Sequence, residues 1–135
     1  MKVNASAVSL TVADPEASAA FLAEHFGFER EMEADGFVSL ARADVGFNAI
    51  FLRAGLETFK PRSRAERTAD GLLMVFVVDD VDAEHDRLAR AGVNIVTALE
   101  TEDWGERYFQ VEDPNGVIVQ LVQWVGAPPE AVLAS

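Results

Sequence analysis

The chain states one plan twice. VSLTVADPEASAAFLAEHFGFE from Val8 and MVFVVDDVDAEHDRLARAGVNI from Met74 each run from an apolar stretch to an aspartate, an amphipathic segment and a glycine. Asp14 and Leu22 stand at the same interval from Asp80 and Leu88, while Gly27 to Gly92 is one residue shorter, as a single deletion would leave it. A duplication of this kind restricts the fold more than composition can, because each copy has to build the same supersecondary unit.

Local chemistry supplies the elements. Asp14 can cap a helix with Pro15 at its first position, Phe21, Leu22 and Phe26 recur at helical spacing, and Gly27 stops it. In the second copy Asp80 caps, Leu88 lies on the buried face, and Arg87 and Arg90 sit near a C-terminus closed by Gly92. Short strands follow each helix: 28–34, 37–41 across the Asp35-Gly36 turn, and 47–53; then 95–99, 107–112, and 117–124 across the turn at Asp113 to Gly116. Each half therefore reads βαβββ. The fold class is α+β, two such modules forming a cupped mixed sheet with helices on its outer face. They form a single domain, the modules covering about 5–53 and 72–124 and joined by the segment 54–71. That segment is long for a loop, so it is a linker or a flap over a site. The tail GAPPEAVLAS is expected to be loosely held or to dock on a partner.

Side chains alternate along a strand, so each sheet presents one face to its helix and one to a cleft. Val8, Leu10 and Val12 are expected under the first helix, and Met74, Phe76 and Val78 under the second. Ala7, Ser9 and Thr11, and Leu73, Val75 and Val77, are expected to face the cleft. Asn48, Ile50 and Leu52 share a face, as do Ile118, Gln120 and Val122.

Composition narrows the chemistry. With 135 residues, half of them apolar, the chain suits one domain. It has no cysteine, which removes disulfides, thiolate zinc sites and a cysteine nucleophile. A formal charge of −12 disfavours nucleic acid despite the basic run RAGLETFKPRSRAER, which reads as a solvated loop. The N-terminal residues lack a signal-peptide pattern and no apolar run would span a bilayer, so a cytoplasmic protein without membrane attachment is expected. The two histidines, His25 and His85, fall on the helices, outside the cleft. No serine has a histidine in a triad pattern, and no glycine-rich phosphate loop precedes a helix.

The pieces FLAEHFGFE, VDDVDAEHDRLARAG and WGERYFQVEDPNGVIVQL, set in this duplicated plan, resemble the vicinal oxygen chelate superfamily. That superfamily includes glyoxalase I, extradiol dioxygenases, fosfomycin-modifying enzymes and bleomycin resistance proteins. The resemblance implies a divalent-metal site built from one His, Gln or Glu on the first and last strand of each module. Counting from the capping aspartates and the turn glycines puts Ala7, Ile50, Leu73 and Gln120 at those positions. Three of them have no donor atom, and one amide cannot hold a catalytic ion.

The expectation is a metal-free, cofactor-free binding protein, closest in character to bleomycin resistance proteins. Those members lack the metal ligands, are acidic, and sequester a cationic antibiotic in clefts built by a homodimer. A homodimer is implied here by analogy, and antibiotic resistance with it. Candidate ligand contacts are Phe37, Asn48, Ile50, Leu73, Trp104, Arg107, Phe109 and Gln120, with Tyr108 on the opposite strand face from Arg107 and Phe109; Phe109 as a core residue and Arg107 paired to an acid are the alternatives. Two alternatives stand beside this reading. One is a divergent glyoxalase-like lyase or dioxygenase, with Ser9, Asn48 and Glu112 as the first substitutes for the missing ligands; the other is a structural or regulatory interaction domain with no pocket.

Overall fold

Asp14 and Asp80 both adopt extended backbone and accept from the third amide of the helix that follows, Ala17 at 3.3 Å and Ala83 at 3.0 Å. These caps start the two helices of a computed structural model, which describes residues 1–126. Helix α1 runs Pro15–Phe26 and ends on Gly27 in the left-handed region at φ 68°; helix α2 runs Val81–Arg90, with Gly92 at φ 76° just beyond it. Side chains with a β-carbon rarely adopt that conformation, which is why glycine closes both repeats. A second acceptor holds the start of α2: the Val81 amide donates to Gln123 Oε1 at 3.0 Å.

The strands are β1 (Ala7–Val12), β2 (Glu29–Ala34), β3 (Phe37–Ala41), β4 (Asn48–Arg53), β5 (Leu73–Val77), β6 (Asn94–Thr101), β7 (Glu106–Glu112) and β8 (Ile118–Trp124). They form two four-stranded sheets with the same topology, β1-β4-β3-β2 and β5-β8-β7-β6. In each, the first strand pairs in parallel with the last, and the other pairings are antiparallel. The α+β class and the βαβββ plan are thus present. The chain divides into two compact units, Met1–Gly71 and Leu72–Ser135.

In the first unit α1 packs chiefly on β3 and β4. Phe21, Leu22 and Phe26 from the helix are buried with Leu10, Val12, Val38, Leu40 and Phe51 from the sheet. Each such side chain contributes roughly 1.5–3 kcal/mol by leaving water. Val8 departs from expectation, since it is 38% exposed. The helix sits over the middle of the sheet and leaves the start of edge strand β1 uncovered.

The segment after β4 is anchored rather than a free linker, although its basic side chains, Lys60, Arg62, Arg64 and Arg67, are exposed as a solvated run would have them. Gly55 donates to the Ala65 carbonyl at 2.7 Å, Ala65 is buried, and the Ala69 amide reaches the Thr11 carbonyl at 2.7 Å along the edge of β1. Arg62 ties the segment together from within, its Nη1 donating to the Leu56 and Glu57 carbonyls at 2.7 and 2.8 Å. A guanidinium suits this task because it presents several donors in a fixed plane.

In the second unit Leu88, Val81, Phe109, Val111, Val119 and Leu121 are buried, with Phe109 fully enclosed. The His85 ring meets it edge-on, with centroids 5.1 Å apart. The turn from β7 to β8 is an Asx turn. Asp113 Oδ1 accepts from the amides of Asn115 and Val117, both at 2.8 Å. Of the tail expected to dock or hang loose, residues 127–135 lie outside the described residues.

Candidate functional site

Alternation along the strands leaves one face of each sheet without a helix, and the polar groups there define what each unit can bind. On the first sheet, Ala7 pairs with Asn48 across β1 and β4, and Ser9, Ile50 and Ser39 form the next row across β1, β4 and β3. Phe37 pairs with Leu52 in the row beyond. The sequence-derived contacts Phe37, Asn48 and Ile50 therefore share this face, and each is half-buried. Asn48 is not free, since its Nδ2 donates to Glu31 Oε2 at 2.9 Å.

On the second sheet the helix-free face carries Leu73, Val75 and Val77, exposed at 48%, 46% and 65%, beside Ile118, Gln120 and Val122. Gln120 is half-buried and its amide has a partner, Gln110 Nε2 donating to its Oε1 at 2.8 Å. Gln110 in turn accepts from Thr97 Oγ1 at 2.6 Å. This chain of Thr97, Gln110 and Gln120 crosses three strands, β6, β7 and β8, in one row. It satisfies polar groups that apolar neighbours would otherwise leave unpaired. Neither Thr97 nor Gln110 stood out in the sequence, although Gln110 was within reach: alternation on β7 puts it on the same side as Tyr108, and the turn brings it opposite Gln120.

Two sequence-derived contacts fall on the other side. Arg107 and Phe109 face α2, where Phe109 is fully buried and Arg107 makes a two-pronged pair with Asp82, Nη2 to Oδ1 at 2.7 Å and Nε to Oδ2 at 3.0 Å. That pair holds the Asp82 carboxyl below its usual range, chiefly through the hydrogen bonds from Arg107. Phe109 thus belongs to the core, and Arg107 ties the helix to the sheet. Trp104 stands apart from both, 56% exposed in the turn between β6 and β7.

Tyr108 takes the helix-free side of β7. Its hydroxyl donates to Glu102 Oε1 at 2.9 Å and lies 3.3 Å from Glu100 Oε2. The bond to Glu102, then burial and the negative charge of both glutamates, push the phenol up to about 12. The ordinary value is about 10, so the folded state favours the protonated phenol. The stabilisation is complete below pH of about 10 and is lost as the pH rises towards about 12. Since this is the chain's one tyrosine, the tyrosinate absorption band should appear late in an alkaline titration of the native protein and early in denaturant. Coincident curves would show that the two carboxylates do not hold the hydroxyl.

The metal positions implied by the resemblance do not fit a metal. Ala7, Ile50 and Leu73 offer no donor, and the Gln120 oxygen already accepts from Gln110. Of the substitutes, Asn48 is bound to Glu31, and Glu112 accepts from Asn94 Nδ2 at 3.3 Å. His25 stacks edge-on against Phe21 at 5.1 Å, and His85 against Phe109. Among the described residues no group of three His, Cys, Asp or Glu side chains could hold an ion.

The paired βαβββ units and these faces meet their counterpart in known proteins. The model of the Glyoxalase/Bleomycin resistance protein/Dioxygenase superfamily matches residues 5–121. The chain belongs to that superfamily. Its fold is similar to that of a glyoxalase/bleomycin resistance protein/dioxygenase from Nocardioides, with a TM-score of 0.78 and 20% identity over 96% of this chain and 89% of that one. It is also similar to TioX from Micromonospora sp. ML1, with a TM-score of 0.68 and 22% identity over 90% of this chain and 99% of that one. At such identities the likeness is one of fold. A stretch of 39 residues, 29% of this chain, is 54% identical to part of an uncharacterized protein of Mycobacterium bovis, and spans 26% of that relative's length. Among the described residues no helix is long and apolar enough to cross a membrane.

Proposed function

We propose that this chain is a small-molecule-binding protein of its superfamily that works without a metal ion, sequestering an antibiotic or another aromatic or cationic metabolite in the cytoplasm. The observation that carries the reading is the donor chemistry: three of the four expected ligand positions are Ala7, Ile50 and Leu73, and the fourth is an amide already committed to Gln110. What the helix-free face of each sheet offers instead is apolar surface with a placed amide, the usual lining of a small-molecule site. The ligand contacts are Phe37, Asn48 and Ile50 on the first sheet and Leu73 and Gln120 on the second, with Trp104 as an exposed aromatic group. The exposed row Leu73, Val75 and Val77 supports a homodimer, since an unpartnered apolar strand on a sheet edge favours association.

Calorimetric titration of chelator-stripped protein with nickel, zinc, manganese and ferrous iron tests the central point. No heat beyond dilution is expected. Tight binding of one ion per chain would overturn the reading and favour a metal-dependent enzyme. The same sample should scatter light as two chains; a monomer would remove the dimer and leave the binding reading standing.

A further inference from the structure

Strand β2 has an irregular register. Arg30 pairs with Leu40 and Met32 with Ser39, so Glu31 is the extra residue of a β-bulge. Bulges re-aim side chains, and this one has a visible result. The Glu31 carboxylate passes β3, whose small Ala41 lines the same groove, and reaches Asn48 Nδ2 on β4. A carboxylate from the sheet edge is thereby laid on the helix-free face, beside the row that includes Ala7 and next to that of Ile50.

Glu31, Ala41 and Asn48, with Arg30, Arg42 and Asp44, line a groove of about 730 Å³. That volume falls within the range of about 300–1,000 Å³ typical of small-molecule sites. Both arginines at its wall are engaged elsewhere. Arg30 pairs with Glu16 and Glu33, at 2.6 and 2.7 Å, and Arg42 donates to the Phe26 carbonyl and to Asp44. Among the described residues Glu31 has no cationic partner; its bond to Asn48 is to a neutral amide, which fixes the carboxylate without neutralising it.

The geometry points to this groove as the subsite for a protonated amine or amidine on the ligand, with Glu31 as the residue that selects positive charge and Asn48 as the residue that positions it. The inference deepens the binding reading above and rests on it. A carboxylate held by one neutral donor at the wall of an open groove retains acceptor capacity for a charge-assisted hydrogen bond, the stronger kind. A cation would also be drawn to a chain of formal charge −12.

The test uses two flat tricyclic probes of nearly one shape, 9-aminoacridine, a cation at neutral pH, and acridine, which is uncharged there. Fluorescence titration of the full chain should show about tenfold tighter binding of 9-aminoacridine, the size of one charge-assisted contact. Glu31→Gln should abolish that preference while leaving acridine affinity and the melting temperature unchanged. Ile50→Asn, which removes apolar contact without adding charge, separates the inference from the reading beneath it. If Ile50→Asn weakens both probes but the wild type does not prefer the cation, or Glu31→Gln leaves the preference intact, the charge-selecting role is overturned and the binding face survives. If neither probe binds the wild type, both fall together.

Discussion

Replacing Phe109 with alanine should destabilise the folded chain by about 3–5 kcal/mol, the range for deleting an enclosed aromatic ring from a core. The ring is fully buried between β7 and α2, with His85 packed edge-on against it, so its removal leaves a cavity. The loss should appear as a lower denaturant midpoint in the transition of the second unit. Phe109→Leu, which keeps most of the volume, should lose far less. A loss below about 1 kcal/mol for the alanine variant would mean that the ring is not enclosed as described. The experiment also bears on function, since a ligand contact at this position would be expected to weaken binding with little effect on stability.

Asp113→Ala should lower stability by about 2–3 kcal/mol, because it strips the acceptor from two amides of the turn between β7 and β8, and bonds to a charged group are each worth about 1.5–3 kcal/mol. Asp113 is itself only 6% exposed, and its Oδ1 accepts from both Asn115 and Val117. Asp113→Asn retains an oxygen in that position and should recover much of the loss. Amide hydrogen exchange at Asn115 and Val117 should quicken in the alanine variant and not in the asparagine one. Equal damage from both would show that the negative charge, not the acceptor position, holds the turn. Because β8 follows directly, a loosened turn should also disturb the register that sets Gln120 opposite Gln110.

Much of the fold could be read from residues whose local chemistry agrees with the whole. Asp14 with Pro15, Asp80, Gly27 and Gly92 mark helix ends by capping and by left-handed backbone, and both helices begin and stop there. Strand β3 falls on the expected residues, and the other strands differ by a residue or two at their ends, where fraying makes bounds soft. The site was harder to read for three distinct reasons. Phe109 and Arg107 have the aromatic and cationic character of binding residues, and only their side of β7 shows that they serve the helix interface. Val8 has the alternation of a core residue, but the position of α1 over β3 and β4 leaves it exposed. Glu31 depends on a bulge, and a one-residue slip in register leaves no mark in a pattern of period two. By contrast, the unsuitability of Ala7, Ile50 and Leu73 as metal ligands needs no geometry.

The parallel pairing of the first strand of each sheet with its last sets an order of events during synthesis. β1 is made early but has no ladder partner until β4 has left the ribosome, and the first sheet can close once Arg53 is available, before β5 is made. Domains emerging in this way tend to fold as units, the N-terminal one first. β5 then waits in turn for β8, with the apolar sequence LMVFV uncovered until residues as late as Val122 arrive. A nascent chain stalled between Val77 and Ile118 would therefore carry a finished first sheet and an adhesive, unpaired strand. In this duplicated architecture the second copy, not the first, is the interval in which the growing polypeptide most depends on chaperones.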